Sequence, residues 1–266
     1  MTHILAVANQ KGGVAKTTTV ASLGTALSEL GRRVLLVDLD PQACLTFSLG
    51  VDPDGLELSV HEVLLGTVPA SMAVVATEDG PELLPATIDL AGCESLLLTR
   101  TGREYALRNA LEDLFGAADQ AYDDVIIDCP PSLGVLTING LTAANEVLIP
   151  LQCETLSHRG VGQLLATVAD IRRLTNRGLA IIGVLPTLFD SRTVHSRDVL
   201  ADIGDRYGLR VLDPPIARSV RFAEAPAAGR SVLATSTRLR GAQAYREVAR
   251  RLVAERGHDL APAGQP

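Results

Sequence analysis

Residues 4–8 (I-L-A-V-A) are apolar without alternation, as a strand buried on both faces requires, and they run into K-G-G-V-A-K-T at 11–17. Beyond it Val20, Leu23, Leu27 and Leu30 recur at helical spacing and stop at Gly31. A buried strand, a glycine-bearing turn and a helix start, in that order, form the first unit of a parallel sheet. They also aim the turn's N–H groups and the positive end of a helix at an anion. Composition points to the same spot. Arg outnumbers Lys by 22 to 2, and both lysines, Lys11 and Lys16, lie in this heptapeptide. A compact ammonium enters a tight nest of backbone amides as a point charge, where a planar guanidinium is too wide. Gly12, Gly13, Val14 and Ala15 would wrap a polyphosphate, with Thr18 beside them. Lys16 would reach its β- and γ-phosphates, and Thr17 would present a hydroxyl to Mg²⁺. The strict pattern G-x-x-x-x-G-K-[ST] is not met, because Gln10 and Ala15 stand at its two glycine positions.

Two further strand ends carry acids. Residues 34–37 are apolar and end in D-L-D-P-Q, which sets Asp38 and Asp40 at the C-terminal end of a strand, with alternation placing both on one side. Val125, Ile126 and Ile127 run into Asp128, as a strand whose carboxylate serves Mg²⁺ would. One acid at a strand end is commonplace; three beside a phosphate loop are not.

K-G-G-V-A-K-T-T, V-D-L-D-P-Q and I-I-D-C-P-P-S resemble the deviant Walker A, Walker A′ and Walker B motifs of the ParA (Soj-like) partition ATPases, within the wider ParA/MinD group of P-loop proteins. Segments 187–193, 218–226 and 241–247 are similar to C-terminal motifs of that family, so the resemblance spans about residues 2–255. It implies an ATP- and Mg²⁺-dependent sandwich homodimer that binds double-stranded DNA without sequence preference. A ParB-type partner would discharge it by stimulating slow ATP hydrolysis. It implies, too, that Lys11 reaches the nucleotide of the other subunit, that Asp40 positions the attacking water, that Asp38 and Asp128 serve the Mg²⁺ shell, and that Pro215 lies at the nucleotide. The chain departs from the family at Ala15, where Gly is usual, and at Ala43 and Cys44, which replace Gly-Asn in the switch loop.

The expected fold is α/β: a doubly wound, mostly parallel sheet with helices on both faces. Helical spacing is visible at 103–117, 133–144, 160–175, 194–207 and 240–255. Strands are expected at 82–86, 124–128, 146–150, 180–186 and 209–212, and loops at 51–58 and 76–81. One ATPase domain over 1–256 and a flexible tail at 257–266 are expected, with no dividing linker. No apolar run reaches the roughly 20 residues of a membrane span. The N-terminus reads as a core strand, and Cys44, Cys93, Cys129 and Cys153 form no C-x-x-C pair, so a cytoplasmic, nucleoid-associated protein is expected. Aromatic residues make up only 3%, which disfavours base stacking.

Net charge is −7, yet the charge is uneven. Residues 1–186 carry 11 Lys and Arg against 22 Asp and Glu; residues 187–266 carry 13 Arg against 9. Arg192, Arg197, Arg218, Arg221, Arg238 and Arg240 gather in that second part, as a phosphate-backbone face would. Of these, Arg192, Arg218, Arg221, Arg238 and Arg240 are the DNA-binding candidates; a solvated arginine surface is the plainer alternative. His158 and His195 have no metal-ligand spacing. Three rivals share the nucleotide motifs. A MinD-like protein needs a membrane-inserting C-terminal helix, whereas Ala244, Val248 and Leu252 form only a narrow stripe. An iron-protein-like reductase would use Cys93 or Cys129 for a cluster. A ParA/MinD-like ATPase positioning a non-DNA cargo is the third.

Overall fold

The computed structural model describes residues 2–117, 122–154, 157–190, 192 and 194–259 and, within these, not the side chains of 117, 157, 194–197 and 257–259. In chain order the elements are β1 (His3–Val7), α1 (Lys16–Glu29), β2 (Val34–Asp38), α2 (Cys44–Ser48), α3 (Val60–Leu64), α4 (Ala70–Ala73), β3 (Val75–Ala76), β4 (Glu82–Leu84), α5 (Leu90–Leu98), α6 (Ala106–Ala117), β5 (Asp124–Asp128) and α7 (Val135–Ala143). There follow β6 (Glu146–Gln152), α8 (Ser157–Leu174), β7 (Ala180–Thr187), α9 (Val194–Tyr207), α10 (Arg221–Glu224), α11 (Val232–Thr235) and α12 (Arg240–Asp259).

The strands make one sheet in the order β3-β4-β2-β5-β1-β6-β7, parallel except for the β3–β4 pair at one edge. The strands after β1 fall on both sides of it, β5 and β2 to one and β6 and β7 to the other. The C-terminal end of β1 is therefore a topological switch point, where open α/β sheets bind ligands. Strand alternation divides the core into two layers. Ala6, Leu35, Val37, Val125 and Ile127 face one layer, packed with Leu107, Leu136, Leu164 and Ile203 of α6, α7, α8 and α9. Leu5, Val7, Leu36 and Ile126 face the other, packed with Leu23 and Leu27 of α1 and Tyr245 and Val248 of α12. Helices on both faces explain why the central strands read as unbroken apolar runs.

The helix α12 is anchored at both ends of the sheet. The Tyr245 hydroxyl, fully buried, lies 2.9 Å from the Thr19 hydroxyl on α1. At the opposite end Arg256, buried, donates to Asp124 at 2.8 Å and to Glu146 at 2.6 Å, and Asp124 is also paired with Arg32. Ala244, Val248 and Leu252 are buried against the sheet. Their stripe is a packing face, as expected of a docked helix.

The structure differs from the sequence expectation at several elements. Residues 209–212 form no strand: they make one bridge, Val184 with Val211, through Val184 N–H to Arg210 O and Leu212 N–H to Val184 O, both 2.8 Å. Pro214 and Pro215 follow and supply no N–H to continue a ladder. Residues 75–76, the first of them next to the loop expected at 76–81, pair antiparallel with β4. Short helices α3, α4 and α5 lie in stretches with no assigned helix. Most of the tail expected at 257–266, and the side chains of Arg197 and His195, lie outside the described residues.

Candidate functional site

The phosphate loop is built from its base. Asn9, buried after β1, donates to Pro150 O at 2.7 Å and accepts the Lys11 N–H at 3.0 Å. The Thr187 hydroxyl at the end of β7 donates to Val14 O at 2.9 Å. The loop is thereby tied to β6 and β7, the neighbours of β1 on that side. Gly13 sits at φ 72 and Ala15 at φ 63, ψ 36. Ala15 thus holds the left-handed conformation that the missing glycine would adopt freely, and it starts α1 without a side-chain cap. A methyl group built on Gly12 or Gly13 meets nothing within 4 Å, so open space lies over the loop.

Lys16 begins α1 at the end of this loop, and Asp128 ends β5, the strand paired with β1. Lys16 is 8% exposed, and its ammonium has one long hydrogen bond, 3.5 Å to Lys11 O. Burial lowers its pKa, opposed chiefly by the Asp128 charge. Asp128 is 1% exposed, and neither carboxylate oxygen has a hydrogen bond of normal geometry, although the Thr17 hydroxyl lies close enough to act on it. Burial, followed by the neighbouring Asp38 charge, holds its pKa well above the ordinary carboxylate range; the Thr17 hydroxyl and Lys16 pull the other way. The two groups form no ion pair within 4 Å among the described residues. A buried ammonium and a buried carboxylate left under-satisfied beside each other are a cost the folded chain bears unless a ligand joins them. A phosphate with a divalent cation has the chemistry to satisfy both, so the residues present fit Mg²⁺ and a polyphosphate.

Asp38 and Asp128 are Cα partners across β2 and β5, which places the two acids side by side. Asp38 differs from its neighbour in being fully bonded. Its Oδ2 accepts the Thr46 N–H at 2.9 Å and the Thr46 hydroxyl at 2.8 Å, and its Oδ1 accepts the Asp40 N–H at 3.1 Å. Burial pushes Asp38 up to about 6 against those bonds. Asp40 lies beyond the end of β2, so strand alternation does not place it; a turn does, with its Oδ1 accepting the Gln42 N–H at 3.0 Å. Lys11 is paired with Glu154 of the same chain, and its side chain is 29% exposed. Thr17 and Thr18 line a small cleft with Ser22, Ser48, Phe222 and Arg230. Pro215 precedes Ile216, whose N–H donates to Pro186 O, one residue before Thr187. A cleft of about 410 Å³ lies apart from all of these, between α6 and the segment joining α3 to α4.

Sequence reading missed Thr46 and Thr187. Both are fully buried hydroxyls, and both sit in apolar surroundings, where a Thr reads as an unremarkable core residue. Their isolation among hydrophobic neighbours is the one signal that could have marked them.

The five arginines are all exposed. Two contacts bring the segments that carry them close in pairs. Arg218 N–H donates to Phe189 O at 3.3 Å, bringing it to the loop of Arg192. Arg221 precedes Phe222, and a methyl group on Gly241 would lie 2.6 Å from the Phe222 ring, so the start of α12 with Arg238 and Arg240 abuts α10. Two arginines are already engaged: Arg192 binds both oxygens of Asp190 at 2.9 and 2.8 Å, and Arg221 binds Glu224 at 2.8 Å. Arg218, Arg238 and Arg240 make no ion pair among the described residues.

A sequence profile of the AAA domain family matches residues 2–181. The chain is 44% identical over 252 residues to the chromosome partitioning protein ParA of Caulobacter vibrioides, covering 94% of each. It is 42% identical over 255 residues to the sporulation initiation inhibitor protein Soj of Bacillus subtilis, covering 96% of this chain and 99% of that one. A crystal structure named cobyrinic acid a,c-diamide synthase from Mycobacterium smegmatis, with a bound ATP analog and magnesium, matches with a TM-score of 0.87 and 61% identity over 97% of each chain.

Proposed function

The chain belongs to the ParA and Soj family of P-loop ATPases, and from that membership we propose that it partitions chromosomal or plasmid DNA as an ATP-switched homodimer. Its cofactors are ATP and Mg²⁺, which related structures hold. The observation that carries the nucleotide reading is the buried Asp128 carboxylate, without a hydrogen bond of normal geometry, near the under-bonded Lys16 ammonium. Bound Mg²⁺ would neutralise charge on the β- and γ-phosphates. Thr17 and Asp128 would hold it, with Asp38 beside them. Lys16 and the amides of residues 12–18 bind the phosphates. Asp40, on its own turn, orients the attacking water. Lys11 would exchange Glu154 for the phosphates of the partner subunit's nucleotide, so dimerisation and ATP are coupled through one ammonium.

Arg192, Arg218, Arg221, Arg238 and Arg240 would then lie on each subunit's DNA face. They contact phosphates, not base edges, which makes binding blind to sequence. A ParB-type protein would stimulate hydrolysis and release the dimer, and the protein would work on the nucleoid in the cytoplasm over one ATPase unit, residues 1–256. The test is a titration of two unrelated duplexes with ATP and with ADP, at two salt concentrations. Binding to both duplexes alike, with ATP only, is expected, and Asp40→Ala should hold DNA while releasing no phosphate. Equal affinity with ADP and ATP, or none at low salt, would sink the DNA reading and favour a ParA/MinD-like ATPase that positions another cargo.

The name of the Mycobacterium smegmatis relative suggests a second reading, amide formation on a carboxylic acid. Taking the nitrogen from glutamine would need a cysteine with a lowered pKa. Burial raises all four thiols instead, Cys93 and Cys153 to about 11. Cys93 and Cys129 are also fully buried in the core, away from any surface where a cluster could bridge two subunits.

A further inference from the structure

We propose that Thr46 is a positioning residue for ATP hydrolysis, holding the Asp38 carboxylate and, through it, the turn that carries Asp40. Thr46 is fully buried and every hydrogen-bonding group it turns inward is used. Its N–H and its hydroxyl both donate to Asp38 Oδ2, and its hydroxyl oxygen accepts the Ala86 N–H at 2.9 Å. One side chain thus joins the end of β2, the helix α2 and the segment after β4. The path continues to the reacting end. Asp38 Oδ1 accepts the Asp40 N–H, Asp40 O accepts the Ala43 N–H at 2.8 Å, and Asp40 Oδ1 accepts the Gln42 N–H. The turn from Asp40 to Ala43 is therefore closed on one side by its own bonds and on the other by Asp38.

The local backbone explains why Thr46 is needed. Ala43 starts α2 at φ 50, ψ 32 and offers no side-chain cap. The third N–H of the helix, that of Thr46, would be unpaired in a buried setting. Asp38 caps it from the neighbouring strand, so the acid at the nucleotide site doubles as the helix cap. A second donor from the same residue, the hydroxyl, fixes which oxygen of Asp38 does the capping and leaves the other for the Asp40 amide. Without it the carboxylate can rotate, and the Asp40 turn loses its reference.

The inference rests on the ATPase activity of the site and not on its DNA partner. Thr46→Val keeps the shape and the N–H but removes the hydroxyl. Single-turnover phosphate release should slow by about 10- to 100-fold, the scale of a misplacement of about 1 Å. The KM for ATP and the affinity for a fluorescent ATP analogue should stay near wild type, because Lys16 and the loop amides are untouched. Thr46→Ser should restore turnover, and Thr46→Cys, a weaker donor, should fall between. Amide exchange across 39–47 should quicken in Thr46→Val and not in Thr46→Ser, while β2 and α1 keep their protection. Wild-type turnover in Thr46→Val, a raised KM with turnover unchanged, or failure of Thr46→Ser to restore it would overturn the proposal. If Thr46→Val does not fold, equal rates in the Ser and Cys variants would do the same. Should the wild-type protein release no phosphate, the ATPase reading fails, and the exchange pattern across 39–47 alone decides the role of Thr46.

Discussion

Ala15 and Ala43 stand where the family usually has glycine, and both hold left-handed backbone, at φ 63 and φ 50. The departures were visible as letters in the chain; that the conformation survives them was not. An L-residue pays about 1 kcal/mol or more to sit there, so the surrounding bonds must over-determine each turn. At Ala43 those bonds are the Asp40 carbonyl and the Asp38–Thr46 pair. Asp128 shows the opposite imbalance, a buried acid with no hydrogen bond of normal geometry. Because its folded pKa is raised, the nucleotide-free protein is penalised at pH values above the ordinary carboxylate pKa, and the penalty grows as pH rises toward the folded value. Asp128→Asn should therefore be more stable than wild type at pH 7 without nucleotide. Its advantage should shrink to nothing as pH falls toward about 4. Thermal melts between pH 4 and 8 check the sign; a variant less stable at pH 7 would mean that Asp128 has a partner in solution.

Among elements, β1, β2 and β5 were legible because burial on both faces leaves unbroken apolar runs ending in polar residues. The edge was not. Residues 75–76 pair over two residues only, too short for any period, and 209–212 mimic a strand yet meet two prolines. Helix α5 carries Leu90, Cys93 and Leu97 at helical spacing, but exposed Leu96 and Leu98 blur the stripe. The last helix was legible by its Ala244, Val248 and Leu252 face, while its strongest tie was not, since Arg256 reads as a solvated charge. In the fold that guanidinium joins Asp124 of β5 to Glu146 of β6. Arg256→Ala strands the buried Asp124 with Arg32 as its remaining cation and should cost about 3 kcal/mol. Urea denaturation should show the loss, with nucleotide affinity unchanged, because the network lies at the opposite end of the sheet from the phosphate loop. A loss below about 1 kcal/mol would mark the network as no stronger than a surface pair.

For the molecule as a whole, net charge argued against nucleic acid and distribution argued for it. The fold adds which arginines neighbour which, something no charge count holds. The Arg218 N–H donates to Phe189 O, three residues before Arg192, and Gly241, next to Arg240, packs against the ring of Phe222, next to Arg221. It also shows that these charges are unequal. Arg221 must give up Glu224 before it can neutralise a phosphate, and Arg192 must give up Asp190, whereas Arg218 makes no ion pair among the described residues and only feels the Asp190 charge nearby. In the proposed ATP-bound dimer each face would count twice, and the second half-site would be engaged at high effective concentration. Arg218→Ala should then weaken DNA binding more than Arg221→Ala, by the same factor on every duplex. Each phosphate contact removed should lower the slope of log affinity against log salt by about one, so a substitution present in both subunits lowers it by about two. The double variant should bind ATP as the wild type does. Titrations on two unrelated duplexes at 50 to 200 mM salt, roughly the range where such slopes are steep, would decide it. A larger loss on one duplex than on the other would turn a phosphate contact into a base contact. An unchanged slope would take both arginines off the DNA face and leave Arg238 and Arg240 to carry it.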